Sequence, residues 1–221
     1  MSAEVPSSEP LILASASPRR REIMGLIGIP CEVRVPEVDE EALHQSTPRA
    51  TALAIALAKA GAVMESAPQD RWVLAADTVV ALGKELLLKP SSPEEAAHML
   101  AQLAGQSHEV ITAVALGRVG GAVDLRAARA RVSFRSLTPE EIENYIATGE
   151  PFDKAGGYGI QGAAGTFVSH LDGDFYSVMG LPADLVTDMV AETPWAGTAR
   201  LRARQLPRPT FPLPIPTGAN R

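Results

Sequence analysis

Four hydroxyl–proline pairs, Ser17-Pro18, Thr47-Pro48, Ser92-Pro93 and Thr138-Pro139, do more than any other feature to limit what this chain can fold into. Each places a side-chain oxygen at an N-cap and a proline at the first helical position, where the missing N–H has no partner to lose. Four helix starts are thereby fixed. Glu95 and Glu141 lie three residues after Ser92 and Thr138, the spacing of a capping box, and Gly105 and Gly149 stand where the last two helices would close. A fifth helix is expected from Pro182 to about Glu192, ahead of Pro194.

Between these starts lie strand-like runs at Leu11–Ala14, Glu32–Val35, Trp72–Ala76 with Thr78–Ala81, Glu85–Leu88, Glu109–Leu116 and Ala128–Leu137. Trp72–Ala76 is apolar on both faces, the mark of a central strand, whereas Ala128–Leu137 alternates. Strands and helices alternate at first and strands dominate the middle. The expected fold is therefore α/β with a mixed sheet. With 46% hydrophobic residues the chain can bury a sizeable core.

Residues 1–9 read as a disordered lead, with neither a basic start nor an apolar run, and residues 10–192 as the globular body. Residues 193–221 hold five arginines, no acid and six of the 18 prolines, so they are expected to form a Pro/Arg-rich tail. That segment is basic, so the net charge of -6 understates the acidity of the body. A nucleic-acid-coating surface is excluded on this charge. The single cysteine, Cys31, rules out an internal disulfide framework and a cysteine zinc cluster. Ala50–Met64 is too short and too weakly hydrophobic to span a bilayer. A soluble cytoplasmic protein is expected.

Three segments carry candidate chemistry. In the first, Leu11–Ala14 runs into Ser15, Ser17-Pro18 and then Arg19, Arg20 and Arg21. Cations at a helix amino end oppose its dipole, so an anion is expected to compensate; free N–H groups, hydroxyls and guanidinium forks make a phosphate receptor. For Ser17 alone a plain cap is the better reading. In the second, Asp77 emerges from the buried run Trp72–Ala76 with no helix after it to cap. Its carboxylate then stands at the carboxyl edge of a sheet, suited to activating water or holding a divalent metal. Lys59 and Lys89, in apolar contexts, fit either snorkelling stems or phosphate contacts. Among Glu37, Asp39, Glu40 and Glu41, one acid could face a metal. The third segment runs from Glu150 to Gly162, with four glycines between Gly156 and Gly162. Such a loop lets the backbone approach a ligand closely, and Gln161 offers both a donor and an acceptor to a nucleobase edge. His44, His98, His108 and His170 have no metal-ligand spacing and are assigned no catalytic role.

Taken together and in order, LILASASPRRREIM, ADTVV, LLKP, FDKAGGYGIQG and GDFYSVMGLP resemble the Maf family of nucleoside triphosphate pyrophosphatases over residues 11 to about 192. The resemblance implies an α/β fold with an elongated mixed sheet, flanking helices and two lobes around a central cleft. It implies cleavage between the α and β phosphates, with Mg²⁺ or Mn²⁺, and a homodimer. On the same basis Asp77 is the proton acceptor. Ser15, Arg19, Arg20, Lys59 and Lys89 handle phosphate, Glu40 joins Asp77 as a metal candidate, and Arg20, Thr78 and Gln161 match positions associated with dTTP and UTP selectivity. Gly157, where alanine is usual, is a modest departure. A relative preferring purine or 7-methyl-GTP, or a nucleotide-binding regulator of cell division and septum formation, are the alternatives.

Overall fold

The computed structural model describes residues 9–213. One seven-stranded sheet runs in the order β2-β1-β3-β5-β6-β7, with β4 also on β3. The strands are β1 (Leu11–Ala14), β2 (Cys31–Arg34), β3 (Trp72–Leu82), β4 (Glu85–Leu87), β5 (Ser107–Arg118), β6 (Val123–Phe134) and β7 (Val168–Asp172). β1 pairs in parallel with β2 and β3, and every other pairing is antiparallel. The sheet is thus mixed, as its strand-rich middle predicts.

The helices are α1 (Pro18–Leu26), α2 (Pro48–Met64), α3 (Pro93–Leu103), α4 (Pro139–Ala147), α5 (Phe175–Met179), α6 (Ala183–Met189) and α7 (Ala196–Ala203). All four hydroxyl–proline starts fall where the sequence puts them. Thr47, Ser92 and Thr138 accept from the backbone N–H three residues on, and Thr138 with Glu141 closes a full capping box. The Ser92 box is half made, because Glu95 turns its carboxylate to the backbone and hydroxyl of Ser91 instead. Ser17 stands at the cap of α1 without a side-chain capping bond. Gly105 and Gly149 have φ of +70° and +76° just past α3 and α4, the left-handed turn that closes a helix.

Successive β3 side chains face opposite cores. Leu74, Ala76 and Val80 pack with α1, α3 and the C-terminal helices, whereas Val73, Ala75 and Val79 pack under α2. The α2 face is paved with alanine: Ala52, Ala56 and Ala60 lie against Ala75, Ala113 and Ala115. Small side chains on both surfaces bring helix and sheet close together. That proximity lets a lysine of α2 reach a carboxylate of β3.

Three features differ from the sequence expectations. β3 is unbroken through Asp77, because β5 pairs with it residue for residue from Trp72 to Ala81. β7 and α5 are short elements beyond the expected set, and Pro182 caps α6 rather than opening it. The stretch after 193, expected as a tail, begins with α7. Trp195, Ala199, Ala203 and Leu206 are buried there, at the spacing of one helical face. The arginines at 200, 202 and 204 mask that face in the composition. Beyond it, Arg208 forms two 2.8 Å bonds to the Asp184 carboxylate, and the Tyr176 hydroxyl donates to the Pro207 carbonyl at 2.9 Å. The expected N-terminal lead, apart from Glu9, and the last eight residues lie outside the described part. No helix among the described residues is long and apolar enough to cross a membrane.

Candidate active site

β3 is paired on one edge by β1 only as far as Ala75, and β4 takes up the same edge at Val80. The gap between them leaves Ala76–Val79 free on that side. A cleft of about 420 Å³ opens there, and both Asp77 and Thr78 border it although their side chains alternate across the sheet. This is the physical content of an acid at a carboxyl edge: Asp77 lies mid-strand, but beyond the end of its parallel neighbour.

Asp77 and Lys59 are both buried. The Lys59 ammonium donates to Asp77 Oδ1 at 2.7 Å and makes an equally short contact with Glu40 Oε1. Burial works to raise the Glu40 carboxyl, but the Lys59 hydrogen bond and charge, with Lys89 and Arg20 behind them, hold it below the usual range. Lys59 is thus neither a free phosphate hook nor a snorkelling stem: it bridges two carboxylates. Among the other loop acids, Asp39 caps a short turn through the Ala42 N–H, and only Glu40 lines the cleft.

Arg20 crosses the opposite wall. Its Nε donates to the Gly180 carbonyl at 2.8 Å, Nη1 to Ser15 Oγ at 3.2 Å and Nη2 to Thr78 Oγ1 at 3.3 Å. Burial lowers the pKa of this guanidinium while Asp77 and Glu40 oppose the shift; an arginine stays charged under these conditions. Thr78 and Thr112 are paired across β3 and β5, with their hydroxyl oxygens 2.9 Å apart. Thr112 donates its only proton to the Ser177 carbonyl at 2.7 Å. Thr78 must therefore donate to Thr112, which leaves its lone pairs facing Arg20. A directed relay, from Arg20 through Thr78 and Thr112 to Ser177, fixes the fork while leaving part of its donor set for a ligand.

The cleft gathers Arg19, Arg20, Glu40, Lys59, Asp77, Thr78, Lys89 and Gln161 in one place. Ser15 is the exception. It lies buried beneath Arg20 and behind the Ser17 N–H, and does not line the cleft. Ser17, by contrast, does line it, in keeping with a hydroxyl that makes no capping bond. Arg21 faces away, on a shallow depression beside Val33. Arg19 reaches Asp153 at 3.4 Å, and Lys89 is exposed with no ion pair among the described residues. Gly156, at φ +72°, brings the glycine-rich loop onto β3, where an added Cβ would lie 2.9 Å from Val80 Cγ1.

Three participants escape the sequence reading: Thr112 and the carbonyls of Ser177 and Gly180. Thr112 had a signal, being the sole polar residue in the apolar run Val110–Leu116. Main-chain carbonyls carry none.

Glu40 and Asp77 also bear on a metal. No group of three or more His, Cys, Asp or Glu suited to an ion occurs among the described residues. Two carboxylates beside a cationic phosphate pocket still fit a magnesium-like ion, which commonly takes one or two carboxylates and completes its shell with substrate phosphates and water.

Comparison with known proteins adds the lineage. A dTTP/UTP pyrophosphatase of Moorella thermoacetica is 46% identical over 182 residues, which is 82% of this chain and 93% of the relative. One from Bacillus cereus is 48% identical over 172 residues, 78% of this chain and 89% of the relative. Among solved structures, the Staphylococcus aureus Ham1 protein aligns over 57% of this chain and 72% of its own, at 14% identity and a TM-score of 0.42. The Maf profile, described as Maf-like protein, matches residues 10–193, and the chain belongs to the Maf family.

Proposed function

We propose that this protein hydrolyses dTTP and UTP to the monophosphate and pyrophosphate, removing these nucleotides from the pool. The observation that carries the reading is the Asp77–Lys59–Glu40 cluster facing Arg19, Arg20 and Lys89 across one cleft. Relatives with nearly half their residues in common are dTTP/UTP pyrophosphatases.

In this reading Arg19, Arg20 and Lys89 hold the triphosphate, since guanidinium forks and ammonium groups match its oxygens. Asp77 accepts a proton from water as the water oxygen bonds to the α phosphorus. The α–β bridging bond breaks and its electron pair leaves with pyrophosphate. Lys59 orients the Asp77 carboxylate, with Oδ1 held at 2.7 Å and Oδ2 available for the proton. Glu40 and Asp77 would hold a Mg²⁺ or Mn²⁺ ion, which supplies charge neutralisation on the phosphates. Ser15 acts through Arg20 by orienting it. Arg20, Thr78 and Gln161 contribute pyrimidine selectivity; Gln161 is exposed on the cleft rim with donor and acceptor both open to a base.

The test is direct. Purified protein with UTP or dTTP and Mg²⁺ is expected to release monophosphate and pyrophosphate, and Asp77→Asn to lose about 10²-fold or more in kcat. Orthophosphate release would mean β–γ cleavage and overturn the reading. Near-native turnover in the Asn variant would remove Asp77 from the role of base. Binding without turnover would instead support a nucleotide-sensing protein.

A further inference from the structure

Glu150 opens the glycine-rich loop and lines the cleft, and none of the chemistry above uses it. Its Oε2 is buried and meets no hydrogen-bond donor among the described residues. The obvious local donors are engaged elsewhere. The Gly162 N–H goes to the Gly159 carbonyl, and the Gly159 N–H to the Tyr145 hydroxyl. The Lys154 ammonium holds the main-chain carbonyl of Glu150 at 2.6 Å and the Asp153 carboxylate. The carboxylate lies flat against Gly162, where an added Cβ would come within 2.3 Å of Oε1 and 2.4 Å of Oε2. Only glycine at 162 leaves it room. Tyr145, pushed up by burial, is raised further by the charge of Glu150 and by a hydrogen bond from its hydroxyl to that side chain, and Oε2 still has no partner of its own among the described residues.

A buried carboxylate oxygen without a donor is costly, and an ionised carboxylate can only accept hydrogen bonds. Its missing partner therefore carries an N–H or O–H. Ionised phosphates offer no such donor and would be repelled, so Glu150 marks the nucleoside end of the cleft, beside Gln161. We propose that Glu150 is a substrate-binding residue that accepts one hydrogen bond from the nucleoside, either the ring N3–H of uracil or thymine or a sugar hydroxyl. The inference rests on the nucleotide reading given above and adds to it the group that recognises the non-phosphate part.

Binding and turnover separate the two readings. Affinity is measured calorimetrically on the full chain with Mg²⁺, using non-hydrolysable α,β-imido-UTP and its N3-methyl and 2′,3′-dideoxy forms. Glu150→Ala is expected to weaken α,β-imido-UTP about 10- to 100-fold, the range for losing a charge-assisted hydrogen bond. Glu150→Gln, which keeps an acceptor without the charge and guards against misfolding of the alanine variant, is expected to lose less. The analogue that lacks the contacted donor binds the wild type more weakly and is indifferent to Glu150→Ala; the N3-methyl arm reports the base and the dideoxy arm the sugar. Equal weakening of all three ligands, or none, overturns the proposal. Pyrophosphate release from UTP by the wild type is followed in parallel. Its absence, alongside Glu150-dependent binding, would sink the hydrolase reading and leave the contact standing, whereas failure of the wild type to bind the analogue overturns both.

Discussion

Lys59→Met isolates the electrostatics of the site. The ammonium lies 2.7 Å from one oxygen each of Asp77 and Glu40, so those two oxygens are at most about 5.4 Å apart. With the lysine gone, two unit charges at that separation repel by about 3 kcal/mol at an effective dielectric constant of about 20. The Glu40 side chain is 42% exposed, so solvent reduces this to about 2 kcal/mol. In the wild type Glu40 is held low by Lys59, so its contribution to stability is present above the unfolded carboxyl pKa and is lost on acidification. In the variant the repulsion disfavours ionisation, and stability is lost as the pH rises. The penalty of the substitution should therefore be about 2 kcal/mol larger at pH 7 than at pH 4. Urea denaturation in EDTA measures it, and adding Mg²⁺ at pH 7 should recover part of the loss. A penalty equal at both pH values would show that only the packing of the lysine stem had been removed, and would refute the bridge.

Other consequences are equally open to measurement. Thr112→Val keeps the shape but breaks the relay behind Thr78; the UTP-to-CTP ratio of kcat/KM is expected to fall about tenfold, with the melting temperature lowered by the loss of the Thr112–Ser177 bond, although the Ser177 carbonyl keeps the Gly180 N–H at 3.1 Å. An unchanged ratio would mean that Arg20 and Thr78 hold their places unaided. Burial lowers the His108 pKa to about 4, and its Nε2 lies 2.7 Å from the Tyr158 hydroxyl. By NMR the ring should be no more than about one-tenth protonated above pH 5. Because the folded pKa is depressed, its contribution is full above about pH 6.5 and declines by about 3 kcal/mol toward pH 4. A His108 titration near pH 6.5 would contradict this. Gly156→Ala, with φ at +72° and Val80 in the way, is expected to cost about 1–3 kcal/mol in denaturant-measured stability and to raise KM for UTP by displacing the loop. Wild-type values for both would show that the loop yields.

Much of the architecture was legible in the chain because its determinants are local. A hydroxyl before a proline sets a helix start whatever surrounds it, and an apolar run without polar interruption has to be buried. α1 to α4 and the central position of β3 follow from these. Asp77, Arg20, Lys59 and Gln161 stood out as polar groups in or beside such elements. α7 escaped because Arg200 and Arg202 on its outer face, with Arg204 just past its end, hide the spacing of Trp195, Ala199 and Ala203.

What the sequence alone determined is therefore the set of helix starts, the strands that must be interior, and most of the charged groups in the cleft. What only the tertiary structure decided is what those groups do. β1 stops at Ala14, opposite Ala75, and β4 ends at Leu87, opposite Val80, which opens the cleft beside Asp77; strand length in a sheet is set by partners distant in the chain. The alanine-lined contact between α2 and the sheet carries Lys59 to two carboxylates. The carbonyls that hold Arg20 and Thr112 belong to the backbone, for which no residue letter codes.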